Sequence, residues 1–226
     1  MTSFMTQMMG MALNKPVFYD TDCLECFLFV DAGHILEKLF TKILIPEQVY
    51  MELMDNNTPP IVKTNFNKLK DGFVEIKEIH FMSQEYTTFN LIKKGFWSQT
   101  GKCCGDGESA AMALAHLNNG IVASNNLSDV DEYIDSLDIK LITSSMILSK
   151  AFEKDIVSEN TANELWKGMI NKGIDLPKNS FKEYYEELYE SDCERFLKSE
   201  RWKLILHNLS TLHYFTTWRN NENMKN

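Results

Sequence analysis

Gly105-Asp106-Gly107-Glu108-Ser109-Ala110-Ala111-Met112-Ala113-Leu114-Ala115, followed by Asn119-Gly120 and Ile121-Val122-Ala123-Ser124, reads as a glycine turn, a helix and a strand in immediate succession. Alanines at 110, 111, 113 and 115 favour helix and let it approach a sheet closely. Asn119-Gly120 supplies a left-handed stop, and the short apolar run behind it reads as a central buried strand. A helix that delivers the chain straight into a buried strand is half of a crossover unit. The fold therefore depends on whether the rest of the chain repeats this alternation.

It does. Upstream, Val17-Phe18-Tyr19 reads as a short buried strand, Asp22 to about Phe40 as helix with a break near Ala32-Gly33, and Ile43-Leu44-Ile45 as a second strand closed by Pro46. Pro46 suits the first turn of a helix through Val49, Leu53 and Met54 that carries Glu52, because the first helical residue needs no backbone donor. Asn56-Asn57-Thr58-Pro59-Pro60 stops that helix. Phe73 to Ile79 reads as an edge strand from its charges, and Glu85 to Lys94 as helix. Downstream, Ser128 is placed to cap a helix to Leu137, and Ile139 to Thr143 reads as a further strand. Such alternation gives an α/β fold on a parallel, doubly wound sheet. Beyond Thr143 the pattern is helical: Met146 to Phe152, Ser158 to Asn171, Ser180 to Glu190, then Ser191 to about Leu206. The chain thus divides into an arm (1–15), a main domain (16–190) and a helical C-terminal extension (191–226).

With 226 residues, 44% of them apolar, one main domain is expected. A net charge of −9 argues against a generic nucleic-acid coat, so any contact with a polynucleotide is local or mediated by a metal. Five cysteines and no secretory signal favour reduced thiols and a cytoplasmic location. Cys23-x-x-Cys26 and adjacent Cys103-Cys104 do not make a zinc site, which needs four well-spaced N or S ligands in turns. The most apolar stretch, Cys23 to Phe40, carries Glu25, Asp31, His34, Glu37 and Lys38, so no membrane span is expected. No phosphate loop, dinucleotide fingerprint or nucleophile elbow is present.

Two acids remain at telling junctions: Asp20 follows the first strand, and Glu108 opens the helix after the glycine turn. In an open parallel sheet the strand ends converge on one crevice, where carboxylates from distant segments can hold a divalent cation. That is the donor set of a metal-dependent hydrolase, in which the cation activates water and stabilises charge on phosphoryl oxygens. Each acid also has a plainer reading. Asp20 can cap a loop, Glu52 can be a solvated helix residue, Asp106 can cap the helix starting at Gly107, and Glu108 can complement the helix dipole.

In order and spacing, Asp20, Pro46-Glu47-Gln48-Val49-Tyr50-Met51-Glu52-Leu53, Gly107 to Ala115 and Ile121 to Asn126 resemble a PIN domain. The resemblance is narrower to a bacterial and archaeal branch with a Gly-Glu-x-x-Ala-x-x-Leu-Ala helix, and Ile139 to Ala151 with Ile156-Val157-Ser158 extend it over residues 16–190. It implies a three-layer fold and a Mg²⁺- or Mn²⁺-dependent endoribonuclease acting on single-stranded RNA. Many prokaryotic members are toxins held by an antitoxin. The resemblance makes Asp20 and Glu108 metal ligands, with Glu52 completing the catalytic cluster. The family's fourth acidic position falls on Asn125 or Asn126, whose amide oxygen coordinates without bringing charge. Asp129 or Asp22 can supply the missing carboxylate. Thr21 and Ser124 are expected to steady the ligands, and Lys93, Lys94 and Lys102 to meet substrate phosphates.

The same residues admit a degenerate PIN-fold module that binds RNA or protein without cutting, or a hydrolase of a small phosphorylated molecule. Arg195, Lys198, Arg201, Lys203 and Arg219 stand beside Trp202, Tyr214, Phe215 and Trp218 in the extension. They form either a surface for RNA, an antitoxin or a second copy in a homodimer, or a helix packed on the domain.

Overall fold

The computed structural model describes residues 15–98 and 100–197. The N-terminal arm, apart from Lys15, lies outside the described residues, as do Lys198, Arg201, Trp202, Lys203, Tyr214, Phe215, Trp218 and Arg219 of the extension.

Five short strands form one wholly parallel sheet: β1 (Val17–Tyr19), β2 (Ile43–Pro46), β3 (Val74–Lys77), β4 (Ile121–Ala123) and β5 (Lys140–Ile142). Their order is β3-β2-β1-β4-β5, so β1 is central and β3, as its charges foretell, is at an edge. The register sets Val17, Phe18 and Tyr19 opposite Ile121, Val122 and Ala123, and the two strands end level with each other.

Side chains alternate across a strand, so each strand feeds two cores. Val17, Tyr19, Ile43, Ile45, Ile121 and Ile142 face one core. On that side lie α1 (Thr21–Phe29), α2 (Gly33–Leu39), α3 (Glu47–Met54), α4 (Pro60–Phe66), α8 (Ser144–Glu153), α9 (Glu159–Asn171), α10 (Phe181–Glu187) and α11 (Tyr189–Leu197). Phe18, Leu44, Val122 and Leu141 face the other, covered by α5 (Gln84–Lys93), α6 (Asp106–Leu117) and α7 (Leu127–Leu137). This is the three-layer α/β arrangement expected, with helices on both faces of the sheet. No helix among the described residues is long and apolar enough to cross a membrane.

The passage from α6 into β4 is tight. Asn119 takes a positive φ of 50°, and a Cβ at Gly120 would sit 2.8 Å from the Pro16 carbonyl oxygen and 2.9 Å from the Phe18 ring. Only glycine lets the two chains pass so closely. Because a helix that feeds a parallel strand starts at the edge where the strands end, the turn places the N-terminus of α6, and Glu108 with it, beside the end of β1.

Several local expectations are corrected. Helix α6 starts at Asp106 with Gly105 as its cap, because the Asp106 carboxylate is drawn to Lys93 (2.5 Å) instead of to the helix N–H groups. Helix α7 starts at Leu127 with Asn126 as its cap, which puts Ser128 inside the first turn. Pro46 caps α3 from just outside. Residues 180–190 are divided at Leu188 into α10 and α11. Helix α4 has Pro60 in its first turn, so Pro59-Pro60 both ends one loop and opens a helix.

Candidate metal centre

Asp20 leaves β1 as the cap of α1. Its backbone N–H donates to the Ala123 carbonyl (2.9 Å), tying the two strand ends together. One carboxylate oxygen accepts from the Thr21 N–H (2.7 Å) and the other from the Ser124 hydroxyl (3.1 Å). Asp20 is only 2% exposed. Burial pushes its carboxyl well above the usual range, the charges of Asp22 and Glu108 push further, and the two hydrogen bonds oppose them.

Asp22, exposed on the first turn of α1, and Glu108, buried on the first turn of α6, converge on Asp20. One oxygen from each of the three carboxylates lies within 4.8 Å of the other two. Both neighbours also hold their protons more tightly than usual, chiefly through desolvation. The Asp129 charge adds to this for both, while an Asn126 hydrogen bond moderates it at Glu108. Three hard oxygen donors with raised proton affinity, and no imidazole or thiolate in the set, fit a hard divalent cation, because a dication removes the repulsion that crowding creates.

Glu52 sits beside this group instead of within it. Its carboxylate accepts a hydrogen bond from the Thr21 hydroxyl and lies over Gly107, where a Cβ would stand 2.9 Å from Oε2. Thr21 thus contacts Asp20 through its backbone and Glu52 through its side chain.

The two asparagines separate. Asn125 is committed to the scaffold: its Oδ1 accepts from the Ser144 N–H at the start of α8 (2.9 Å), and its Nδ2 donates to Cys26 Sγ (3.0 Å). Asn126 lies beside the acids, where its amide helps to lower the proton affinity of Glu108 and Asp129, with its Oδ1 accepting from Ser128 (3.0 Å). Asp129 stands outside the group of three and is ion-paired with Lys102, which holds its carboxyl below the usual range.

Of the lysines, Lys93 is paired with Asp106 and Lys102 with Asp129, while Lys94 is exposed at the end of α5. Another, Lys172, was not singled out from the sequence. With Gly173, Ile174 and Asp175 it walls an open hollow of about 480 Å³ against Asp22, Glu25 and Asn125. A second hollow of about 490 Å³ continues past Asn125 and Asn126 toward Thr143, Ser145 and Leu188, so the two form a trough beside the acids. The cysteines take no part in the three-carboxylate group; Cys23, Cys26, Cys104 and Cys193 are buried and Cys103 is exposed.

A family model described as PIN domain matches residues 16–190. No curated protein matches the chain.

Proposed function

Since the chain belongs to the PIN-domain family, whose members are generally nucleases, we propose that it is a metal-dependent endoribonuclease that hydrolyses single-stranded RNA. The observation that carries this reading is the meeting of Asp20, Asp22 and Glu108 at the C-terminal edge of a parallel sheet. These three residues would hold Mg²⁺ or Mn²⁺, with the Asn126 amide beside them. When bound, the cation supplies a charge that polarises water and offsets the charge building on the phosphoryl oxygens.

The chain's own residues do the rest. Ser124 and the Thr21 N–H fix the Asp20 carboxylate so that it presents the same oxygens each time. Glu52, oriented by the Thr21 hydroxyl at the edge of the group, accepts the proton of the attacking water. Lys172, exposed at the wall of the hollow that Asp22 lines, meets backbone phosphates, and exposed Lys94 is a further candidate for that contact. The open trough past Asn125 and Asn126 suits a strand better than an enclosed small molecule. In this reading the protein is a toxin or defence effector, and the C-terminal extension is the surface offered to an antitoxin or a second copy.

The neutral amide of Asn126 favours a second reading, a PIN-fold module that binds RNA or protein without cutting. One assay separates the two: cleavage of a mixed-sequence single-stranded RNA with Mg²⁺ or Mn²⁺, for wild type, Asp20→Asn and Glu108→Gln, with EDTA as control. Cutting that needs metal and is lost in both variants supports the nuclease. Absence of cutting, with no cation binding by calorimetry, leaves the interaction module.

A further inference from the structure

Asp129 lies next to Asn126, with the Ser128 hydroxyl between the two side chains, and its carboxylate is already occupied. Lys102 Nζ is ion-paired with Asp129 Oδ1, donates to the Ser128 carbonyl (3.1 Å) and reaches Ser128 Oγ (3.4 Å). Ser128 Oγ shares its one proton between the same Asp129 oxygen (2.9 Å) and Asn126 Oδ1 (3.0 Å). The backbone of Lys102 is held from both sides. Its N–H donates to Ser98 Oγ (2.9 Å), and its carbonyl accepts from the hydroxyl of fully buried Tyr133 (2.5 Å). The ammonium, with its backbone anchored and its head tied to Asp129 and Ser128, is therefore a positive charge held next to Asn126.

We propose that Lys102 is the built-in cation of this centre: it keeps Asp129 out of metal coordination, so that Asp20, Asp22 and Glu108 take one divalent ion and not two. Two-ion phosphodiesterase sites place their ions about 3.5–4 Å apart, and each ion needs carboxylates of its own or shared ones. Here three carboxylates lie within mutual reach, enough for one hard ion completed by water. With Glu52 held by the Thr21 hydroxyl on one side, the further carboxylate on the Asn126 side is Asp129, and an ion drawing on it would meet the ammonium bonded to it. The inference rests on the metal-dependent reading above.

The test counts Mn²⁺ bound to the full chain, by calorimetry and by electron paramagnetic resonance. Wild type is expected to bind one ion, and Asp20→Asn to lose affinity by about tenfold or more. Asp129→Asn should still bind one ion, because it removes no ligand of that ion, although its affinity falls as the Lys102 charge loses its partner. Lys102→Met should admit a second ion. Two ions on wild type, no ion on Asp129→Asn, or an unchanged single ion in Lys102→Met would each overturn the role of Lys102 while leaving the metal centre standing. No Mn²⁺ on wild type would overturn this role and the metal-dependent reading together. Asp129→Asn keeps the test decisive if Lys102→Met does not fold.

Discussion

The Ser124 hydroxyl, at the end of β4, donates to the Asp20 carboxylate, at the end of β1, across 3.1 Å. The same oxygen accepts from the Asn126 N–H (3.2 Å), so one buried serine orders the acid and the start of the loop that carries the amide. Ser124→Ala should lower Mn²⁺ affinity and RNA cleavage by about tenfold, the usual effect of losing a group that orients a ligand. Its cost in stability should be about 1–2 kcal/mol. Calorimetry beside a urea melt reads both, and an unchanged affinity would show that Ser124 serves the fold alone.

Without a cation the cluster should make the protein less stable as pH rises. Asp20, Asp22 and Glu108 all have carboxyls raised by folding. Between the ordinary carboxylate pKa of about 4 and the raised folded values, the native state holds more protons than the unfolded chain, so this contribution falls with pH. In EDTA at pH 7, Asp20→Asn should therefore melt about 3–6 °C above wild type. Saturating Mn²⁺ should reverse the order. A variant that melts lower in EDTA would mean that Asp20 stabilises the fold even when ionised.

Gly107 is where Glu52 rests. A Cβ there would meet Glu52 Oε2 at 2.9 Å and Val49 Cγ2 at 3.2 Å. The carboxylate is the free end of a long side chain and can move, while alanine gains up to about 1 kcal/mol of helix propensity. Gly107→Ala should thus fold within about 1 kcal/mol of wild type but cut RNA at least about tenfold more slowly. Combining it with Glu52→Ala should add little further loss, because both remove the same proton acceptor. Full additivity in that double-mutant cycle would exclude a shared role.

Asn125 and Asn126 should respond in opposite ways. Asn125→Ala removes the acceptor of the Ser144 N–H and the donor to Cys26, and should cost about 1–2 kcal/mol of stability with Mn²⁺ affinity nearly unchanged. Asn126→Ala should leave the melt close to wild type while changing ion affinity, since its amide contacts Glu108 and Asp129. Loss of ion binding in the first variant would sink this division.

Much of the scaffold was legible because its punctuation is strong. Val17-Phe18-Tyr19, Ile43-Leu44-Ile45 and Ile121-Val122-Ala123 are short apolar runs bounded by residues that stop or start helices, and all three are strands. Helix α4 was hidden because Pro59-Pro60 signals a stop as readily as a start. The nearness of Asp20 and Glu108 followed from parallel topology alone. That Asp22 would join them did not, since the pitch of α1 and the closeness of α6 decide it. Lys102 was expected at substrate phosphates and Lys172 carried no signal in the sequence; only the packing of separate segments shows one bound to Asp129 and the other at the edge of a hollow.

The pairing of β1 with β4 also bears on the order of events during synthesis. The Asp20 N–H has no partner on the Ala123 carbonyl until residue 123 exists, and Ser124 follows it. A growing chain that has released β1, β2 and β3 from the ribosome still lacks the strand that completes the pocket around Asp20. The three carboxylates are thus brought into register only once residues 123 and 124 have emerged, which delays the assembled centre beyond the appearance of the acids themselves.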